Sequence, residues 1–216
     1  MSARDKILGK IRTALANAKA DAQTESIASY IAQHQRGPLP PAPDDLLARF
    51  KERALSLSSD VMETSELKQV PALLAEYLHT RQLPVRGVCW PMLAGLFWSA
   101  AGLEIQSRAA TNEDLVGVTG AFCAIAETGT LMLLSGAATA ATTSLFPETH
   151  VAVLDPRRIV ATMEDAWDLL RKEYKQLPRA VNFISGPSRT ADIEQTVTLG
   201  AHGPYRVLLI LAPLNF

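Results

Sequence analysis

The chain has 216 residues, a net charge of −1 and 48% hydrophobic residues. The near-neutral balance excludes the clustered basic excess of a nucleic-acid-binding protein, and the apolar content excludes general disorder. No run approaches the ~18 consecutive apolar residues of a membrane span. Residues Met1 to Lys6 lack the apolar core of a secretory signal, so a cytoplasmic protein is expected. Cys89 and Cys123 are the only cysteines, and they read as reduced, buried small hydrophobes. A cluster held by four thiolates cannot be built from this chain alone.

In chain order, residues 3–19 read as an amphipathic helix. Ile7, Leu8, Ile11 and Leu15 share one stripe, and Arg4, Lys6, Lys10, Arg12 and Lys19 occupy the rest. It is either a basic arm for a partner or a helix packed on its own domain. Residues 21–44 turn polar and then proline-rich through Gly37-Pro38-Leu39-Pro40-Pro41-Ala42-Pro43, the texture of an extended linker. The expected division is an N-terminal helix and linker over 1–43 and a body over 44–216.

Within the body, a helix through Leu46, Leu47, Phe50, Ala54 and Leu57 leads to a short strand at Val61-Met62-Glu63. Helical spacing returns at Leu67, Val70, Leu74, Tyr77 and Leu78, with Pro71 either starting or kinking that helix. Gly87 to Trp90 reads as a strand, Leu93 to Trp98 as a helical turn or two, and Leu103 to Gln106 as another strand. The apolar runs Phe122–Ala126 and Leu131–Leu134 read as buried strands around a sharp reversal at Gly129, followed by a strand at Val151–Leu154. Thr162-Met163-Glu164-Asp165 forms a capping box, and the helix it starts is expected to bury Met163, Trp167, Leu170 and Tyr174. Strands at Ala180–Ile184 and Tyr205–Leu211 complete the pattern. Alternating strands and helices of this kind predict an α/β fold with a mainly parallel sheet flanked by helices.

Three places could carry chemistry. Glu127, with Thr128, Gly129 and Thr130, is expected at a strand end, where such sheets commonly bind ligands. It could be a general base, an anchor for a hydroxyl or a nucleophile, or simply a carboxylate satisfied by turn N–H groups. Ser185-Gly186-Pro187-Ser188-Arg189-Thr190-Ala191-Asp192 reads as a strand end followed by a helix start, which would offer N–H groups, hydroxyls and a guanidinium to an anion. There Asp192 and Glu194 would favour the helix start or pair with Arg189. Third, His150, in Glu148-Thr149-His150, and His202, between Gly200 and Gly203, stand near strand ends where a proton shuttle is conceivable. Zinc from His150, His202 and a carboxylate fits no familiar ligand spacing, and no metal site is expected. No phosphate loop or dinucleotide fingerprint follows any strand.

Four motifs recur here in a set order: Ala126-Glu127-Thr128-Gly129-Thr130, Leu145-Phe146-Pro147-Glu148-Thr149-His150, Gly186-Pro187-Ser188-Arg189-Thr190-Ala191-Asp192-Ile193-Glu194, and Gly200-x-His202-Gly203-Pro204. Together they resemble the LutC/YkgG family, the lactate utilization protein C group with the LUD domain, from about Asp44 onward. The resemblance implies a fold similar to the NagB/RpiA/CoA-transferase group. It also implies a place in an assembly that oxidises L-lactate to pyruvate with two iron–sulfur partner proteins, which carry the clusters, while this chain has no intrinsic cofactor. On that reading Arg189, Ser188 and Thr190 hold an anionic group such as a small carboxylate, and Glu127 and His202 orient or deprotonate a hydroxyl. Glu148, His150 and Asp192 join the candidate binding residues. Two other readings stay open: a stand-alone acyl- or CoA-transferase-like enzyme with Glu127 as nucleophile, and a non-catalytic scaffold for the partners.

Overall fold

The computed structural model describes residues 3–16, 27–38, 41–191, 197–199 and 203–214. The chain divides into two compact units, Met1–Pro41 and Ala42–Phe216. The first contains helix α1 (Ala3–Ala16) and a second helix, α2, over 27–32. The expected linker is therefore interrupted by helix. Ile7, Leu8 and Ile11 of α1 and Ile27, Tyr30 and Ile31 of α2 are exposed.

The second unit is built on a six-stranded, wholly parallel sheet. Its strands are β1 (Asp60–Glu63), β2 (Arg86–Cys89), β3 (Glu104–Ser107), β4 (Val116–Gly120), β7 (Thr149–Leu154) and β12 (Arg206–Leu211), in the spatial order β1-β12-β7-β4-β2-β3. The central strands are buried on both faces, which is why Val151–Leu154 and Val207–Leu211 read as continuous apolar runs.

On one face Val116, Val118, Val151, Val153, Leu208 and Ile210 pack against helix α4 (Val70–Thr80) and against Leu93, Trp98 and Leu103. Pro71 lies in the first turn of α4, where its missing N–H costs nothing, so it starts the helix instead of kinking it. Alternate residues, Ala152, Leu154, Val207, Leu209 and Leu211, face the other way and meet Phe50 and Ala54 of helix α3 (Leu46–Ser56). Asp45 caps α3 by accepting from the Ala48 N–H at 2.9 Å.

A second sheet covers that other face. It is formed by β8 (Ile159–Val160), β5 (Cys123–Ile125), β6 (Thr130–Leu134) and β9 (Val181–Ile184), in that order. β5 and β6 are an antiparallel hairpin. Leu131 and Leu133 point to the first sheet, while Met132 and Leu134 point to helix α6 (Met163–Glu173). The layers thus run helix, sheet, sheet, helix, with α3 sharing the third. The expected reversal at Gly129 is present, with φ at +68°. It joins strands of the smaller sheet, however, and does not end a strand of the parallel one.

The capping box at Thr162 and Asp165 forms as read. Leu170 is buried and Met163 and Trp167 partly so, but Tyr174 lies just past the helix and is exposed. Both cysteines are free and buried. Among the described residues no helix is long and apolar enough to cross a membrane.

Candidate functional site

The last turn of α3 is where the motifs gather. Gly129 packs so closely on this helix that an added Cβ would lie 2.7 Å from the Ala54 nitrogen and 2.8 Å from the Arg53 carbonyl carbon. Gly186, also at positive φ (+80°), would strike the Leu57 carbonyl oxygen one turn further on. Between these two contacts runs a chain of hydroxyls: Thr128 Oγ1 donates to Thr130 Oγ1 at 2.8 Å, and Thr130 Oγ1 lies 2.7 Å from Ser185 Oγ. Glu127, Thr128, Gly129 and Thr130 are therefore one cluster with Ser185-Gly186, although some fifty-five positions separate Thr130 from Ser185. Glu127 is half-buried, and its N–H donates to Ala161 O at 3.0 Å.

Arg189 follows. Residues Arg189–Ala191 form strand β10, paired antiparallel with β11 (Val197–Leu199), so among the described residues the expected helix start is replaced by strand. The guanidinium instead donates to Leu57 O at 3.2 Å and Ser58 Oγ at 2.5 Å. Both acceptors are neutral, so its charge is not cancelled by them. Ser188 donates its N–H to Pro204 O at 2.9 Å, and Gly203 lies against the Ser188 side chain and the Leu145 carbonyl. Three of the four motifs thus meet at the amino ends of β7 and β12.

A cavity of about 750 Å³ opens at this edge, lined by Asp60, Arg81, Arg189, Tyr205 and Arg206 among others. Arg81 pairs with Asp60 at 2.7 Å and lies over the Tyr77 ring, 4.7 Å from its centroid. The Tyr77 hydroxyl donates to the other Asp60 oxygen at 2.8 Å. Burial, reinforced by the hydrogen bond to the Asp60 carboxylate, raises the Tyr77 phenol well above its ordinary range and keeps it protonated. Arg206 donates to Thr149 Oγ1 at 3.3 Å and stands 3.7 Å from Glu148. Three guanidinium groups therefore face one space that, among the described residues, has a single carboxylate in its lining, an arrangement suited to an anion.

His150 is placed differently. It is the second residue of β7 and wholly buried. It lies beside Gly117 in register, and an added Cβ at Gly117 would strike the Thr143 carbonyl, so this face of the sheet is covered by helix α5 (Thr142–Leu145). His150 Nε2 lies 2.8 Å from Thr119 Oγ1, while Nδ1 has no hydrogen-bond partner among the described residues. Burial lowers the imidazole to about 4, so it is neutral near pH 7. The side chain lies inside the fold and away from the cavity surface.

The backbone of Thr190 is in β10; Asp192, Glu194 and His202 lie outside the described residues. Among the described residues no group of three or more His, Cys, Asp and Glu side chains is placed to hold a metal ion. Sequence reasoning missed Arg81, Asp60, Tyr77 and Arg206. Arg206 had a signal, since it follows Gly203-Pro204 by two positions, but Arg81 is an ordinary residue after a helix until the fold delivers it.

The architecture is that of an α/β protein with an arginine-lined cavity at the amino edge of a parallel sheet. The LUD domain family matches residues 98–212. A lactate utilization protein C from Bacillus subtilis is 36% identical over 195 residues, covering 78% of each chain. One from Exiguobacterium is 32% identical over 180 residues, again 78% of each. An uncharacterized protein of Neisseria meningitidis is 44% identical over 104 residues, 48% of this chain and 44% of that one. The chain belongs to the LUD-domain family. The crystal structure of a DUF162 family protein from Deinococcus radiodurans shares the fold, with a TM-score of 0.57 at 23% identity over 80% of this chain and 99% of that one.

Proposed function

We propose that this chain works in lactate utilization, in an assembly that oxidises L-lactate to pyruvate with iron–sulfur partner proteins. The observation that carries the reading is the cavity shared by Arg81, Arg189 and Arg206. A 2-hydroxy acid needs a site for its carboxylate, and the natural one is the Arg189 guanidinium, whose partners among the described residues, Leu57 O and Ser58 Oγ, are neutral. The relatives named lactate utilization protein C support lactate as the substrate.

Arg189 and Arg206, with Ser188 and Thr190, bind the carboxylate. Glu127 and His202 act on the hydroxyl; the turn that carries Glu127 is tied through Thr130 and Ser185 to the segment that carries Arg189. Oxidation removes two electrons and two protons from lactate. The electrons leave to clusters on the partners, since two cysteines cannot hold one here.

The test is lactate-dependent reduction of the iron–sulfur partners with the chain present, absent or substituted. Omitting the chain abolishes reduction. Arg189→Ala and Arg206→Ala each raise the lactate concentration needed for half-maximal rate by about tenfold or more, as expected for a lost charge-assisted hydrogen bond. If the chain is needed but both arginine variants and Glu127→Gln are silent, it is a scaffold. If omission changes nothing, the lactate reading is wrong and acyl transfer on Glu127 becomes the alternative to pursue.

A further inference from the structure

A second cavity, of about 410 Å³, lies at the opposite edge of the parallel sheet, and its chemistry is the reverse of the first. Trp90 follows the last residue of β2, and Gly120 is the last residue of β4. These neighbouring strands send the chain in opposite directions, β2 outward to β3 and β4 inward towards β7. Such a divergence leaves a crevice beyond the carboxyl ends of the strands, the usual place for a ligand in a parallel sheet. The volume is within the ~300–1,000 Å³ of small-molecule sites.

The walls are flat and apolar. Trp90 is held by donating its indole N–H to Ala140 O at 3.0 Å. Phe122 and Tyr174 meet edge to face, with ring centroids 5.8 Å apart, and the Arg158 guanidinium fixes the Phe122 ring from 4.5 Å. Gly120 lets the Met92 side chain pack directly on the end of β4, since a Cβ there would lie 2.8 Å from Met92 Sδ. Among the described residues that line this space there is no Asp, Glu, Lys, Arg or His. Burying a charge against these walls is unfavourable, because no charged side chain among the described lining residues would pair with it. Of the hydroxyls in the lining, those of Ser135, Thr139 and Tyr174, Ser135 Oγ accepts from the Ala180 N–H at 2.8 Å, which leaves its own hydrogen to donate.

We propose that this crevice binds a flat, uncharged aromatic ring bearing a hydrogen-bond acceptor, with the ring against Trp90 and Tyr174 and the acceptor at Ser135. The site is separate from the arginine cavity and does not depend on the lactate reading.

The test uses the full chain and two probes that share a ring: 2-naphthamide, which is neutral, and 2-naphthalenesulfonate, which is charged. Binding is followed by calorimetry, with NMR contacts from the naphthyl protons as a second readout. The amide binds saturably and shows contacts to the Met92 methyl and the Tyr174 ring, and the sulfonate binds at least about tenfold more weakly. Ala138→Phe, on the exposed rim of the cavity, weakens the amide by a similar factor, while Ala137→Phe, next to it but outside the lining, does not. Equal binding of both probes, contacts located elsewhere, or no binding of the amide up to its solubility limit would overturn the proposal. In the last case, a dimer in solution that loses its partner on Ala138→Phe would assign the crevice to a second copy instead.

Discussion

His150 shows how far one residue's surroundings can change its chemistry. By type it is the side chain most easily charged near neutrality, but inside β7 desolvation lowers its pKa from 6.5 to about 4. The unfolded chain therefore takes up a proton at a pH where the folded one does not. Stability from the neutral imidazole is complete above about 6.5, falls as the pH drops through the interval, and is fully lost below about 4, a total of roughly 3 kcal/mol. Urea unfolding between pH 7 and pH 4 should show that loss, and His150→Gln, less stable at pH 7, should show a shallower slope by the same amount. An identical slope in both proteins would mean that other groups set the acid sensitivity.

At the scale of an element, α6 is the clearest case of local sequence deciding local structure. Thr162 Oγ1 accepts from the Asp165 N–H at 3.2 Å, and Asp165 Oδ2 accepts from the Thr162 N–H at 3.1 Å, so two N–H groups that the first turn leaves unpaired are satisfied at once. Thr162→Ala should cost about 1 kcal/mol, read as a lower urea midpoint with an unchanged slope. The segment after Pro187 is the counter-example. Ser188-Arg189-Thr190-Ala191 reads as the approach to a helix, yet Arg189–Ala191 pairs as β10 with β11. Hydroxyl and acidic residues favour a helix start only while no partner strand competes for their backbone groups. β4 was illegible for a related reason. Val116-Gly117-Val118-Thr119-Gly120 has two glycines where strand formers are expected, because Thr143 and Pro147 crowd one position and Met92 the other.

For the whole molecule, the two sheets share one interior. Leu131 and Leu133 from the hairpin interleave with Ala152, Leu154 and Leu209 of the parallel sheet. Leu131→Ala should destabilise the chain by ~2–5 kcal/mol. Circular dichroism and tryptophan fluorescence should still follow a single transition, because neither layer keeps its core without the other. Separate midpoints for the two probes would show that the layers unfold independently.

By itself the sequence determined the period of most helices, the capping box at Thr162, most of the buried runs and the reversal at Gly129, since each depends on residues within a few positions of one another. The α/β class and the family followed, because alternation and motif order are properties of the chain. Tertiary structure decided the rest. It made the Glu127 turn part of a separate, mixed sheet, sank His150 into the core, and brought Arg81 and Arg206 beside Arg189. Those outcomes depend on contacts between residues far apart in the chain, and such contacts exist only once the layers have packed.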